Sequence, residues 1–290
     1  MEVNYVVITP VRNEEKFIEK TLKSMVSQTI PPLQWIIVDD NSTDNTSNIV
    51  KDYARSYPWI KKIEARNSGL RKTGGRVIRL FNEGVSMLDV YNWDYIVKLD
   101  ADLSFERWYF KELIHRFFQD HRLGIASGVY FEMDSAGKWR LVNMPFYHAA
   151  GACKMVSRKC YQEIGGFIER KGWDTVDEIR AIAQGWKTRH FSDLKMKHHK
   201  PEGSGIGILR TNFMHGEIYY STGGDKLFFV AKVLHRVISK PYFLSAFALL
   251  LGYLKAALAR EPLLVNDIEA QCYKRLLRAR LRSTVRGLLN

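Results

Sequence analysis

Cysteine is scarce in this chain: three residues, Cys153, Cys160 and Cys272, with no Cys-x-x-Cys pair among them. That odd number and spacing exclude a disulfide-stapled scaffold and a zinc ribbon, and they fit a reducing compartment. Long apolar runs are lacking too. The longest, Tyr242 to Leu254, covers 13 residues, short of the ~20 a membrane-spanning helix needs; it reads as a core helix or as a segment lying in a membrane interface. The N-terminus has no basic stretch leading into an apolar one, so no signal peptide is expected, and the sequons at Asn41 and Asn45 carry little weight. Gly-x-Gly-x-x-Gly is missing after the first predicted strand, which argues against a dinucleotide-dependent dehydrogenase. No repeat or low-complexity linker is visible.

What is present is ordinary globular composition, 46% apolar and 26% charged over 290 residues, enough for a large α/β domain or two smaller ones. The net charge of +13 calls for a polyanionic partner: phosphates, nucleic acid or an anionic membrane surface. It is unevenly placed. Residues 226–290 hold twelve Lys/Arg against Glu261, Asp267 and Glu269, or +9 of the +13. The near-balance of the remainder weakens a nucleic-acid reading, and no nucleic acid is expected as partner.

Periodicity predicts strands at Asn4–Thr9, ended by Pro10, then at Leu33–Val38, Ile60–Ile63 and Tyr95–Leu99, with helices between them. Further strands are predicted at Gly124–Glu132, Lys138–Val142 and Trp186–Phe191, and helices at Glu106–Asp120, Ser157–Ile164 and Asp174–Gln184. This β-α-β-α rhythm implies a mostly parallel sheet flanked by helices, whose ligands sit beyond the carboxyl ends of the strands. Three strand ends carry polar groups to that edge: Thr9-Pro10, Asp39-Asp40 and Asp100-Ala101-Asp102. Two carboxylates on one tight turn suit a hard divalent cation such as Mg²⁺ or Mn²⁺, although they also suit the cap of a following helix. Asp39 and Asp40 point opposite ways, so one of them faces a ligand; an Asx-turn is the plainer alternative.

Three segments in order, Thr9-Pro10-Val11-Arg12-Asn13-Glu14-Glu15, Val38-Asp39-Asp40-Asn41-Ser42-Thr43-Asp44 and Lys98-Leu99-Asp100-Ala101-Asp102, resemble the signatures of the family 2 glycosyltransferases. Gly151-Ala152-Cys153-Lys154-Met155 with Glu163-Ile164-Gly165-Gly166-Phe167 resembles that family's acceptor side, and the likeness covers roughly residues 4 to 200. It implies the GT-A fold, a Rossmann-like sheet, and inverting transfer of a hexosyl or N-acetylhexosaminyl group. The donor would be a nucleotide-diphosphate sugar and the acceptor a sugar or lipid-linked saccharide. By the same resemblance Thr9, Pro10, Arg12, Glu14 and Asp40 bind the nucleoside side, and Asp100, Ala101 and Asp102 hold ribose and metal. The general base matches Asp174, with Asp177 one helical turn later as rival; the usual Glu before it is replaced by Trp173. His198 is a candidate to complete the metal site or hold the leaving diphosphate, and a plain surface histidine otherwise. Arg71, Lys72, Gly74 and Arg76 form a basic, Gly-rich loop suited to phosphate; whether Arg76 or Arg79 takes the family's arginine role is open. A sugar-phosphate nucleotidylyltransferase shares the fold logic but should carry its Gly-rich loop directly after the first strand. A non-catalytic basic scaffold is the other alternative.

The predicted domains are a catalytic one, 1–225, and a basic helical segment, 226–290. Tyr273–Leu289 places Leu277, Leu281, Val285 and Leu288 opposite Lys274, Arg275, Arg278, Arg282 and Arg286, as an in-plane membrane helix requires. Phe228, Phe229, Tyr242, Phe243, Phe247 and Tyr253 suit interfacial depth. Packing on the catalytic domain or a dimer interface would use the same pattern. With the tail of polysaccharide-assembly members as the likeness, a cytoplasmic location at the inner face of the plasma membrane is expected.

Overall fold

A computed structural model of the chain describes residues 3–66, 75–201, 207–238 and 242–289, with side chains of the last helix up to 284. Arg71, Lys72 and Gly74 lie outside the described residues, as do the side chains of Val285, Arg286 and Leu288. The chain divides into two compact units, 1–174 with 184–201, and 175–183 with 202–290.

The first unit is built on one sheet. β1 (Tyr5–Val11), β2 (Gln34–Asp39), β3 (Ile60–Glu64) and β4 (Tyr95–Leu99) are parallel, in the order β3-β2-β1-β4. α1 (Ile18–Val26), α2 (Thr46–Ser56) and α3 (Arg76–Ser86) are the crossovers. β1, β2 and β4 are buried almost throughout rather than on alternate residues, because a parallel sheet is covered on both faces. Pro10 does not end the first strand. It pairs with Val38 on one side, while β4 has stopped pairing at Ile8 on the other, so its missing N–H disturbs no ladder there.

Beyond β4 the sheet turns mixed. β8 (Cys153–Ser157) runs antiparallel to β4, with Leu99 opposite Cys153 and Lys98 opposite Lys154. β6 (Leu123–Met133) follows, then β9 (Lys187–His198) and the three-residue β5 (Leu103–Phe105); β7 (Trp139–Leu141) pairs with β6. α4 (Tyr109–Gln119) and α5 (Arg158–Glu163) also belong to this unit. β9 continues well past the predicted end at Phe191. Its ladder with β6 shifts register, Gly128 facing Phe191 and Val129 facing Lys195. A side chain at Gly128 would put its Cβ 2.1 Å from the Leu194 carbonyl oxygen, so the bulge requires glycine. After the bulge the ladder resumes and sets His198 opposite both Glu132 and Leu103.

α6 (Trp173–Ala183) crosses the division between the units after Asp174. The second unit adds α7 (Ile208–Ser221), α8 (Lys226–Val237), α9 (Tyr242–Leu258) and α10 (Asp267–Leu289). On α10, Tyr273 and Leu277 are buried and Leu281 is half-buried, while the side chains of Val285 and Leu288, the rest of the predicted stripe, lie outside the described residues. The aromatics also sort. Phe229 is buried against Tyr219 and Tyr253, whereas Tyr242, Phe243 and Phe247 are exposed. No helix among the described residues is long and apolar enough to cross a membrane.

Candidate active site

β4 ends at Leu99, and the turn that follows carries Asp100 and Asp102 at the carboxyl edge of the sheet. Two features fix the turn. The Asp100 amide donates to the Ala152 carbonyl at 2.7 Å, and the His199 amide donates to the Asp102 carbonyl at 2.9 Å. Ala101 is buried between them and tethers the loop to the core. Lys98, buried one residue before the end of β4, sends its ammonium to Asp100 Oδ1 at 2.5 Å and to the Gly151 carbonyl at 2.9 Å. Burial raises the Asp100 carboxyl above its ordinary value; Lys98 pulls it down and Asp102 pushes it up.

β9 delivers His198 to this turn. Its Nε2 lies 3.4 Å from Asp102 Oδ2, and its Nδ1 lies 2.9 Å from Glu132 Oε1. Burial alone would lower the imidazole, but the bonds to Asp102 and Glu132 outweigh it and lift the group to about 10. Asp100, Asp102 and His198 bring ligand atoms within 4.8 Å of one another. Asp102 Oδ1 is buried with no hydrogen-bond partner, which costs about 1–3 kcal/mol if nothing binds it. Two carboxylates and an imidazole steadied by Glu132 fit a divalent ion of the Mn²⁺ kind, which would satisfy that oxygen and replace the imidazole proton. Glu132 was not visible as a site residue in the sequence. His199, the other half of the pair, faces elsewhere: it bonds Ser104 Oγ at 2.8 Å and stacks with Phe17.

Glu14 belongs to the same neighbourhood. Burial raises its carboxyl, Lys200 at 2.5 Å lowers it, and Asp102 and Asp100 raise it further by repulsion. Asp40 is buried and takes the fork of Arg76, with Nε at 2.6 Å, and Arg12 Nη1 at 3.4 Å. Arg76, not Arg79, therefore holds this carboxylate. Asp39 points the other way, accepting the Ser42 amide at 2.9 Å and pairing with Lys62 at 3.3 Å. Thr9 is fully buried, and its Oγ1 accepts the Trp35 indole N–H at 2.9 Å. With Pro10 in the ladder, Thr9 fastens β1 to β2 inside the sheet.

The two candidate bases differ in environment. Asp174 is half-buried, and its Oδ2 lies 3.6 Å from where a Cβ on Gly151 would stand, so glycine leaves its carboxylate room. Lys154, wholly buried in β8, donates from Nζ to the Asp174 carbonyl at 2.8 Å. Lys98 and Lys154 both reach the Trp173 ring, at 5.5 and 5.2 Å from its centroid. Gly151 thus touches two systems, its carbonyl bound by the lysine that holds Asp100 and its Cα beside Asp174. Asp177 is 2% exposed, and its Oδ1 accepts the Glu178 amide at 2.6 Å.

The profile of the family described as Glycosyl transferase family 2 matches residues 6–171. A probable glycosyltransferase of Bacillus subtilis, YdaM, is 26% identical over 225 residues, 68% of this chain and 50% of its own length. The minor teichoic acid biosynthesis protein GgaB of the same organism is 29% identical over 154 residues, 48% of this chain and 15% of its own. The chain thus spans half or less of the length of these curated relatives. Among solved structures, the mannosyltransferase PcManGT from Pyrobaculum calidifontis, in complex with GDP-Man and Mn²⁺, superposes with a TM-score of 0.57 at 18% identity. That match covers 100% of this chain and 81% of the other. The fold is the expected one: a mostly parallel GT-A sheet flanked by helices, with a helical C-terminal part.

Proposed function

Because this chain belongs to glycosyl transferase family 2, and is thereby a glycosyltransferase, we propose that it is inverting and metal-dependent. It moves a sugar from a nucleoside-diphosphate donor to an acceptor hydroxyl in the synthesis of a cell-envelope polysaccharide or glycolipid. Transfer is assigned to residues 1–225. The observation that carries this reading is the unpartnered buried Oδ1 of Asp102 beside Asp100 and His198. Two of the relatives support the finer points, PcManGT by its complex with GDP-Man and Mn²⁺ and GgaB by its place in teichoic acid biosynthesis.

Asp100, Asp102 and His198 would hold the ion, which when bound would supply Lewis-acid stabilisation of charge on the departing diphosphate. His198 in that set favours Mn²⁺ over Mg²⁺. Lys98 keeps Asp100 in place, and Glu132 keeps the His198 ring in one orientation. Asp40 meets the nucleoside, sharing its oxygens with Arg76 and Arg12, while Glu14 closes the same edge. An acceptor hydroxyl has a pKa far above 7 and needs a base within hydrogen-bond reach as it attacks. Asp174 takes that proton, because its carboxylate stands open beside Gly151 while that of Asp177 is turned into the protein.

Thermal shift of the full chain against nucleotide sugars, with and without Mn²⁺, tests the reading, since a bound donor stabilises the fold by mass action. One donor should raise the melting temperature only when the ion is present. No shift with any nucleoside diphosphate, or the same shift in excess chelator, would remove metal-dependent donor binding from the proposal.

A further inference from the structure

We propose that α8 and α9 form a docking surface for an anionic lipid bilayer, with the outer face of α9 lying in the interface. The surface is independent of the transfer reaction. α9 is built inside out: Ser245, Ala246, Gly252 and Ala256 are buried, while Phe243, Phe247, Leu250, Leu251, Leu254 and Leu258 are exposed, Phe243 to 72% and Leu258 to 84%. At 3.6 residues per turn the six exposed side chains fall within an arc of about 100°, and Ser245, Gly252 and Ala256 lie opposite, with Leu249 the one large side chain buried beside them. A helix whose outer side faces water does the reverse.

The buried side explains how. A Cβ on Gly252 would stand 1.9 Å from the Phe213 carbonyl oxygen, and one on Gly216 would stand 2.1 Å from that of Leu249. α7 and α9 therefore meet backbone to backbone through glycine, the packing helices adopt where hydrocarbon surrounds them. α8 extends the outer face, with Leu227, Val230 and Leu234 exposed at helical spacing and Ile238 just beyond them.

Charge identifies the occupant. No ionisable side chain other than tyrosine interrupts Tyr242–Leu254, but residues 226–290 carry twelve Lys/Arg against three acids. His235 and Arg260 are exposed near the ends of α8 and α9, and Arg275, Arg278, Arg280 and Arg282 are exposed on α10. A second copy would bring the same +9 against itself. An anionic bilayer takes both parts, acyl chains for the apolar face and headgroups for the arginines. α9 has 17 residues, about 26 Å of helix, so it lies along the interface rather than crossing.

Sedimentation of the full chain with phosphatidylcholine vesicles, and with vesicles containing about 30% phosphatidylglycerol, tests this. The wild type should pellet with the anionic vesicles and release as salt rises. The variant Phe243→Ser/Phe247→Ser/Leu251→Ser, altered only at exposed positions, should bind roughly a hundredfold more weakly with its melting temperature unchanged. If that variant melts early, Leu258→Glu at the most exposed position serves as the second measurement and should also weaken binding. Wild type left in the supernatant with anionic vesicles, or variants that bind as it does, would overturn the proposal. So would a concentration-dependent dimer by light scattering that the triple variant abolishes, because a second copy would then cover the face.

Discussion

Both units bury charge, the second at Asp177, Glu178, Glu217 and Asp225, but they differ in the hydrocarbon they leave open. The first buries charge, with Lys98, Lys154, Asp39, Asp40, Asp102 and His198 all under 9% exposed. The second leaves hydrocarbon open along α8 and α9. Both arrangements cost stability in isolation. Buried charges of the first unit are supported by partners: Lys98 has Asp100 and the Gly151 carbonyl, Lys154 the Asp174 carbonyl, His198 two carboxylates. Exposed hydrocarbon in the second unit has no such support from polar neighbours. On the proposed reading, the ionic groups of the first unit serve a small charged ligand and the bare apolar side chains of the second serve an extended surface.

The sharpest way to break this contrast is to remove the buried carboxylate whose Oδ1 has no hydrogen-bond partner. Asp102→Ala should lower kcat/KM by roughly a thousandfold or more and abolish Mn²⁺ binding by calorimetry; near-normal turnover would mean that the buried carboxylates are structural. Asp174→Asn should cut kcat by roughly 10²–10⁴ while donor affinity holds. Should Asp177→Asn do this and Asp174→Asn not, the half-buried position is the wrong base.

Lys154→Met tests whether a buried ammonium positions Asp174 through its carbonyl. A drop of about tenfold in kcat with donor affinity unchanged is expected, and the arm of the pH–rate profile that reports the base should move. A loss of stability alone would mark Lys154 as scaffold. In the second unit, Gly252→Leu places a side chain where Phe213 already stands. It should cost about 1–3 kcal/mol in a denaturant melt, whereas substitutions on the opposite, exposed side of α9 should cost almost nothing.

The smallest effect concerns Lys232. Burial, reinforced by the like charges of Arg236 and Arg280, lowers its ammonium to about 8; the Tyr219 ring faces it at 5.5 Å. Unlike Lys98 it faces like charges. The unfolded chain keeps this proton up to its ordinary value of 10.5, so between pH 8 and that value the unfolded state binds more protons. Stability linked to this group should therefore rise with pH across that window. Lys232→Met should raise the melting temperature at pH 7 and flatten that rise; a lowered one would show that the ammonium is better accommodated than Lys98.

Much of the first unit could be read directly from the chain, because buried parallel strands write themselves as apolar runs ending in polar residues. β8 escaped because Lys154 sits in the middle of it and breaks the run, and β5 because three residues carry no period. α7 escaped because Asn212, Gly216 and Glu217, all buried, break the apolar spacing expected of a helix. The Asp100–Asp102 turn was legible, since spacing alone puts both carboxylates on one strand end. Glu132 was not: its role depends on the β6–β9 register, which a bulge sets, and no local pattern records a pairing 66 residues away. An apolar face was expected across 226–290 as a whole, on the aromatic helices as well as on α10; among the described residues the exposed apolar side chains gather on α8 and α9, while α10 buries Tyr273 and Leu277. Alternation reveals which helix has two unlike sides, and leaves open which side meets protein.

β8 runs against β4, so the chain enters the sheet at the edge where β4 leaves it. The stretch 142–152 leads to that edge, pinned by the Val142 amide to Tyr130, the Tyr147 carbonyl to Thr188 and the Ala150 amide to Ser127, and it sets Gly151 between Lys98 and Asp174. A change in its length would therefore be felt at both carboxylates, Asp100 and Asp174, at once, through the one glycine they share.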